Sequence, residues 1–314
     1  MRFVNSFVPY GAYWSTPFAK WQGSLSHLHA LSFAADVARS AMDRREIDPA
    51  KLDGLVVGMT VPQKRALYAT PWTAALAGAP HATGTMISQA CATGARVLAT
   101  AAMEIEAAGD RTVLTLTADR CSNGPHIVYP NPLGPGGTVD AENWVMDSFG
   151  NDPWARNSML QTAENVAAEA GISREEQDAC AVVRDEQYRR AQADDRAFQK
   201  RYMDLPLEVK DARGKKVVAT LETDEGVFPT TAEGLAKLRP VMPEGTVTFG
   251  SQTHPADGNC GMIVTTRDRA RELSKNAAHE IQVLSYGQGR VKKGFMAMAT
   301  VPVSYTHLRA HETS

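Results

Sequence analysis

Short apolar runs alternate with longer amphipathic stretches through the first 120 residues, and few architectures accommodate that alternation. Leu55-Val56-Val57-Gly58-Met59-Thr60-Val61 is a continuous apolar run, the composition of a strand buried on both faces. Before it, Phe3 to Val8 reads as a strand, and Leu28, Leu31, Ala35, Ala38 and Met42 recur at the three-and-four spacing of an amphipathic helix ending near Arg45. After it, a helical stretch from Ala99 to Ala108 meets a Gly109 stop, and Thr112-Val113-Leu114-Thr115-Leu116-Thr117 returns to strand composition. Strand, helix, strand, helix, strand predicts α/β layering.

A chain of 314 residues buries roughly 75% of its extended surface on folding, so core size is not limiting. With 43% hydrophobic and 22% charged residues and a formal net charge of -2, it has neither the polar bias of disorder nor the basicity of a nucleic-acid binder. No run approaches the roughly 18 apolar residues of a membrane span. The N-terminus MRFVNSFVPYGAYW lacks a basic-then-apolar signal architecture. These features predict a soluble, cytoplasmic, enzyme-sized protein with no nucleic-acid or membrane partner.

Composition shifts near Cys121. Residues 122–137 carry four prolines and four glycines, which predicts an irregular excursion from the sheet. Their GPGG lacks the lysine of a phosphate loop and reads as turn formers. A helix from Gln161 to Ala170 stops at Gly171, and the Ser173/Glu176 spacing of a capping box starts a charged helix through about Ala193. Asp211-Ala212-Arg213-Gly214 predicts a hairpin, while Thr246–Phe249, Met262–Val264 and Glu280–Tyr286 have strand composition. Residues 304–314, SYTHLRAHETS, have no apolar period and resemble a translated cloning scar, so they are expected to be a non-native tail.

The four cysteines are far apart and form no CxxC pair, which predicts free thiols rather than a zinc knuckle or a disulfide framework. Cys91 has the most informative setting. It lies in Met86-Ile87-Ser88-Gln89-Ala90-Cys91-Ala92-Thr93-Gly94, after an apolar run and just before a helix rich in small residues. A thiol at the first turn of a helix faces unpaired N–H groups and the positive end of the dipole, which favours thiolate and makes a nucleophile. Ala90, Ala92 and Gly94 leave room for an acyl group, and the Cys91 amide is placed to donate to a developing oxyanion. Cys121, Cys180 and Cys260 lack this context and read as structural. His27 and His29, two residues apart, do not share a helical face, and no metal site is expected.

Cys91-Ala92-Thr93-Gly94 resembles the thiolase nucleophile motif, commonly Cys-Ala-Ser-Gly, and further similarities follow in the family's order. They are Ser15-Thr16-Pro17-Phe18-Ala19-Lys20-Trp21-Gln22-Gly23-Ser24-Leu25, Thr162-Ala163-Glu164-Asn165 and Ser173-Arg174-Glu175-Glu176-Gln177-Asp178. Leu235-Ala236-Lys237-Leu238-Arg239-Pro240 and Gly245-Thr246-Val247-Thr248 leading to Asp257-Gly258 complete the series. The resemblance implies a layered α-β-α-β-α fold with an inserted loop domain that binds CoA. On this basis 1–120 and 245–270 form the N-terminal thiolase half, 121–244 the CoA-binding loop domain and 271–303 the start of the C-terminal half.

The implied activity is acyl-CoA C-acyltransfer, making or thiolytically cleaving 3-ketoacyl-CoA through a Cys91 acyl-enzyme. CoA and acyl-CoA are then substrates, with no tightly held cofactor, and the complete protein is expected to be a homodimer or homotetramer. Thr253 keeps a hydroxyl where the family often contacts pantetheine. Ser158 stands where a CoA-contacting histidine is common, and Met159 begins the loop-domain helix. The family's Gly-His-Pro, Cys-x-Gly and Asn-Glu-Ala-Phe motifs are not found, and His254-Pro255 is the only His-Pro pair. Met296–Val303 resembles the segment just before those motifs, so the chain is expected to be a fragment, inactive without most of the C-terminal half. The alternatives are a non-catalytic thiolase-like acyl-CoA binding or scaffold subunit and a ketoacyl-synthase-type condensing enzyme.

Overall fold

The apolar run at Leu55 forms a strand, Gly54–Gly58, whose five residues are all buried. The computed structural model describes residues 1–304, so the expected tail lies outside the described residues apart from Ser304. Two units are distinguished, the first made of residues 1–124, 199–226 and 255–285. The second comprises 125–198, 227–254 and, of the described residues, those from 286 to 304.

In chain order the first unit opens with β1 (Phe7–Pro9), β2 (Tyr13–Ser15), β3 (Ala19–Lys20), α1 (Ala30–Asp43), β4 (Gly54–Gly58) and α2 (Ala69–Leu76). It continues with β5 (Thr83–Ile87), α3 (Thr93–Ala108) and β6 (Thr112–Asp119). The second unit then contributes β7 (His126–Pro130), β8 (Val139–Asn143), α4 (Trp144–Gly150), α5 (Met159–Ala170) and α6 (Arg174–Arg196). The ribbon β9 (Leu207–Lys210) and β10 (Val217–Leu221) belongs to the first unit, and α7 (Ala232–Ala236) to the second. β11 (Ala256–Thr265), α8 (Arg267–Leu273) and β12 (Glu280–Gln282) complete the first unit, and α9 (Thr300–Val303) lies in the second.

The main sheet runs β12-β1-β11-β6-β4-β5, with β2 and β3 also paired to β11. β4 is parallel to β5 and β6, whereas β11 is antiparallel to β6 from Gly258 opposite Asp119 to Thr265 opposite Thr112. Side-chain alternation explains the cover on both faces. Leu55 and Val57 of β4, Leu114 and Leu116 of β6 and Ile263 of β11 pack with Leu31, Ala35, Ala38 and Met42 of α1 and with α2. Their neighbours Val56, Val113 and Val264 point the other way, onto Val97, Ala101 and Ile105 of α3. A strand of period two between two helix layers must be apolar at every position.

Several sequence expectations change in detail. The Pro- and Gly-rich stretch after Cys121 is not wholly irregular, because His126–Pro130 pairs with Val139–Asn143 as a hairpin. Thr246–Phe249 forms no strand; Thr248 instead caps a short turn at Phe249–Ser251. The Ser173/Glu176 capping box is present, but regular helical dihedrals end before Ala193. Residues 199–226, assigned from sequence to the inserted loop domain, cluster with the first unit. Ser15 N–H donates to Tyr202 O and Glu225 N–H to Phe18 O, at 2.9 Å each, which binds that segment to residues 15–18. Among the described residues no helix is long and apolar enough to cross a membrane.

Candidate active site

β5 is an edge strand of the first unit, and the chain leaves its C-terminal end at Ile87 to enter α3. Ligands of open α/β sheets commonly gather outside the C-terminal ends of parallel strands. Cys91 sits there, exposed, in the single 3₁₀ turn Ala90–Ala92 that immediately precedes α3. The turn is strained: Ala90 has a φ of 44°, in the left-handed region that a residue with a Cβ avoids. Thr93 closes it, its Oγ1 accepting from Gln89 N–H at 2.8 Å and donating to Ala90 O at 2.7 Å.

Gly58 lets this turn approach the sheet. A Cβ at Gly58 would lie 2.8 Å from the Cγ2 methyls of Thr93 and Val97 and 2.9 Å from that of Thr117. Glycine at the end of β4 therefore seats the first turn of α3, while Cys91 stays on the solvent side. Asp119, at the end of β6, accepts from the N–H groups of Thr60 and Val61 and from the Thr60 hydroxyl, tying down the chain that leaves β4. Burial pushes its carboxyl above the usual range despite those bonds.

The other thiols differ from Cys91 and from one another. Burial, reinforced by the charges of Asp119 and Asp257, pushes the Cys121 thiol up to about 12. Burial also raises Cys260, whose sulfur lies 2.8 Å from Thr117 Oγ1. Cys180 is exposed on α6, so it is not a core filler.

Ser158, Met159 and Thr253 lie in the second unit, whereas Cys91 lies in the first. Ser158 is the N-cap of α5, its Oγ accepting from Gln161 N–H at 3.1 Å. Met159 is half-buried at the first position of that helix, and Thr253 is exposed, its hydroxyl donating to His254 O at 3.3 Å.

The motif segments of this unit meet through hydrogen bonds that the sequence does not announce. Glu164 accepts from Thr246 N–H at 2.9 Å, Val247 N–H at 2.8 Å and the Thr246 hydroxyl at 3.0 Å. Burial alone would raise its carboxyl, but these donors hold it below the usual range. A Cβ at Gly245 would collide with that carboxylate. Arg174 donates to Leu235 O at 2.7 Å and Leu238 O at 3.3 Å, and Asn165 to Gly294 O at 3.0 Å. Sequence reasoning left Thr93, Asp119 and Glu164 without roles. The signal for Thr93 was a hydroxyl residue two positions after the cysteine.

Fold and site together define an α/β protein that presents one exposed thiol at a sheet edge, immediately before a helix. Residues 12–268 match the family model described as thiolase, N-terminal domain, and the chain belongs to the thiolase family. It is 28% identical over 294 residues to an acetyl-CoA acetyltransferase of Paracoccus denitrificans, covering 92% of this chain and 73% of that one. It is also 28% identical over 295 residues to the human mitochondrial 3-ketoacyl-CoA thiolase, covering 91% and 72%. The crystal structure of human mitochondrial 3-ketoacyl-CoA thiolase in complex with CoA superposes with a TM-score of 0.82 at 25% identity, over 98% of this chain and 76% of that one. The Bacillus anthracis acetyl-CoA acetyltransferase, at 22% identity and a TM-score of 0.85 over 100% and 78%, shares the fold.

Proposed function

We propose that the protein is an acyl-CoA C-acyltransferase that makes or thiolytically cleaves 3-ketoacyl-CoA through an acyl group held on Cys91. The observation that carries this reading is the exposure of Cys91 on its turn ahead of α3, in a chain of the thiolase family. In the cleaving direction the Cys91 sulfur bonds to the 3-keto carbon and the C2–C3 bond breaks. Its electron pair leaves on C2 and takes up a proton, releasing acetyl-CoA. A second CoA sulfur then takes the acyl group, and the bond to Cys91 breaks. In the other direction Cys91 takes the acetyl group of acetyl-CoA and free CoA leaves; C2 of a second acetyl-CoA gives up a proton and attacks that thioester, and the bond to Cys91 breaks to return its sulfur.

CoA is a substrate in this scheme. Ser158, Met159 and Thr253 are proposed contacts for it: the Ser158 oxygen already accepts the helix-capping bond, so its hydroxyl proton remains available to a ligand acceptor. A homodimer or homotetramer is proposed, supported by the open edge of β5, where Met86 is 42% exposed. Four free cysteines favour a reducing compartment such as the cytoplasm.

The test is acetylation of the complete protein by acetyl-CoA, followed by peptide mapping. An acetyl group on Cys91, absent from Cys91→Ala, together with acetyl-CoA protection of Cys91 from iodoacetamide, is the expected result. Equal labelling of Cys91 with and without acetyl-CoA, and no acetyl adduct, would exclude the reading in favour of a non-catalytic role.

A further inference from the structure

We propose that Thr93 is a positioning residue for acyl transfer: its hydroxyl locks the Gln89–Thr93 turn in the form that presents Cys91. The inference rests on Cys91 being the acyl carrier. Its observations are the left-handed Ala90, the two hydrogen bonds of Thr93 Oγ1 that bracket it, and the seat of the Thr93 methyl against Gly58.

The chain must reverse between the last residue of β5 and the first of α3, and it does so with alanine where glycine would be relaxed. A left-handed residue with a Cβ persists only where its surroundings over-determine it. Ala92 N–H donates to Gln89 O at 3.0 Å, which closes one turn but also fits a relaxed arrangement. Thr93 adds the constraint specific to the observed one. A single oxygen accepts from the residue before Ala90 and donates to the carbonyl of Ala90 itself, so rotation of Ala90 out of the left-handed region breaks the second bond and misaligns the first.

The side chain has little freedom to do otherwise. Thr93 is 6% exposed, and its Cγ2 lies 2.8 Å from where a Cβ at Gly58 on β4 would stand. A threonine is stiff about its first side-chain torsion, so a methyl held by the sheet aims the hydroxyl at the turn. Cys91 lies between Ala90 and Thr93 and inherits the geometry of both. Without the clamp, the turn relaxes into forms in which the sulfur no longer faces the acyl carbon while its own amide faces the acyl oxygen. The fraction of molecules ready to react then falls, while binding of the distant parts of acyl-CoA is untouched.

Two substitutions separate this role from packing. Thr93→Val keeps the methyl on Gly58 and removes the hydroxyl; Thr93→Ser keeps the hydroxyl and removes the methyl. The full chain and both variants are treated with acetyl-CoA over a concentration series, and the rate of Cys91 acetylation is followed by mass spectrometry. Two hydrogen bonds of ordinary net strength correspond to a loss of about tenfold or more in maximal rate for Thr93→Val, with the half-saturating acetyl-CoA concentration changed less than about twofold. Thr93→Ser should remain within about threefold of the parent. The Gln89 amide should exchange its hydrogen faster in Thr93→Val and at the parental rate in Thr93→Ser.

A Thr93→Val maximal rate equal to the parent's, or an equal loss in Thr93→Ser, would overturn the proposal. If the parent itself takes no acetyl group, the acyl-carrier reading has failed. The positioning claim is then decided by iodoacetamide rates at Cys91 together with Gln89 exchange. Slower alkylation and faster exchange in Thr93→Val alone support it, and no difference from the parent refutes it.

Discussion

Glu164 offers the most direct test of how the second unit is held together. Its carboxylate collects Thr246 N–H, Val247 N–H and the Thr246 hydroxyl, donors that lie more than eighty positions away in the chain. Hydrogen bonds to a charged acceptor contribute about 1.5–3 kcal/mol each when removal leaves a buried donor, and less where water can replace the acceptor. Glu164 is half-buried and water can partly replace its oxygens, so each donor is worth about 1 kcal/mol and the three together about 3 kcal/mol. Glu164→Ala should lose about that much in urea unfolding, and Glu164→Gln, which keeps one acceptor oxygen, about half. The sign with pH follows from the depressed carboxyl. Just below the ordinary carboxylate value the unfolded chain takes up a proton that the folded chain does not. The stabilisation is therefore complete above that value and is lost as pH falls through the folded one, and Glu164→Gln should flatten this acid limb. Hydrogen exchange locates the effect, since Thr246 and Val247 amides should lose protection in Glu164→Ala. A loss below about 1 kcal/mol with both amides still protected would refute the reasoning.

Gly245→Ala should destabilise through the same contact, because its Cβ displaces the Glu164 carboxylate. The double variant with Glu164→Ala should then cost clearly less than the sum of the single losses in urea unfolding. Iodoacetamide at neutral pH should label Cys91 and Cys180 in the folded protein, and Cys121, whose thiol is pushed up to about 12, and Cys260 only after unfolding, as read by peptide mapping. Asp119 carries a raised carboxyl, so between the ordinary and the raised value the folded chain binds the extra proton. Its contribution falls as pH rises through that window, and urea titrations of Asp119→Asn should lack this decline.

The elements legible in sequence were those whose own residues specify them. β4 declared itself by apolar side chains needed on two faces, α1 by the spacing of Leu31, Ala35, Ala38 and Met42, and α6 by the Ser173/Glu176 cap. Elements decided by distant partners did not. Thr246–Phe249 has strand composition, yet the N–H groups of Thr246 and Val247 that a ladder would use are taken by Glu164. Residues 199–226 join the first unit through backbone bonds to residues 15–18, which composition cannot reveal. Cys91 stood out because small residues and a following helix surround it. The left-handed Ala90 did not, since alanine carries no mark of that conformation.

The pairing of β6 with β11 has a consequence for how the protein comes into being. The antiparallel partner of a strand ending at Asp119 begins at Ala256, so during translation β6 emerges well before anything can cover that side. Until β11 has left the ribosome, the nascent chain exposes an open β edge with apolar side chains behind it. Sheet closure is thus a late, slow event that spans a long loop. A polypeptide halted before Ala256 should be held by chaperones or aggregate, however well its helices form.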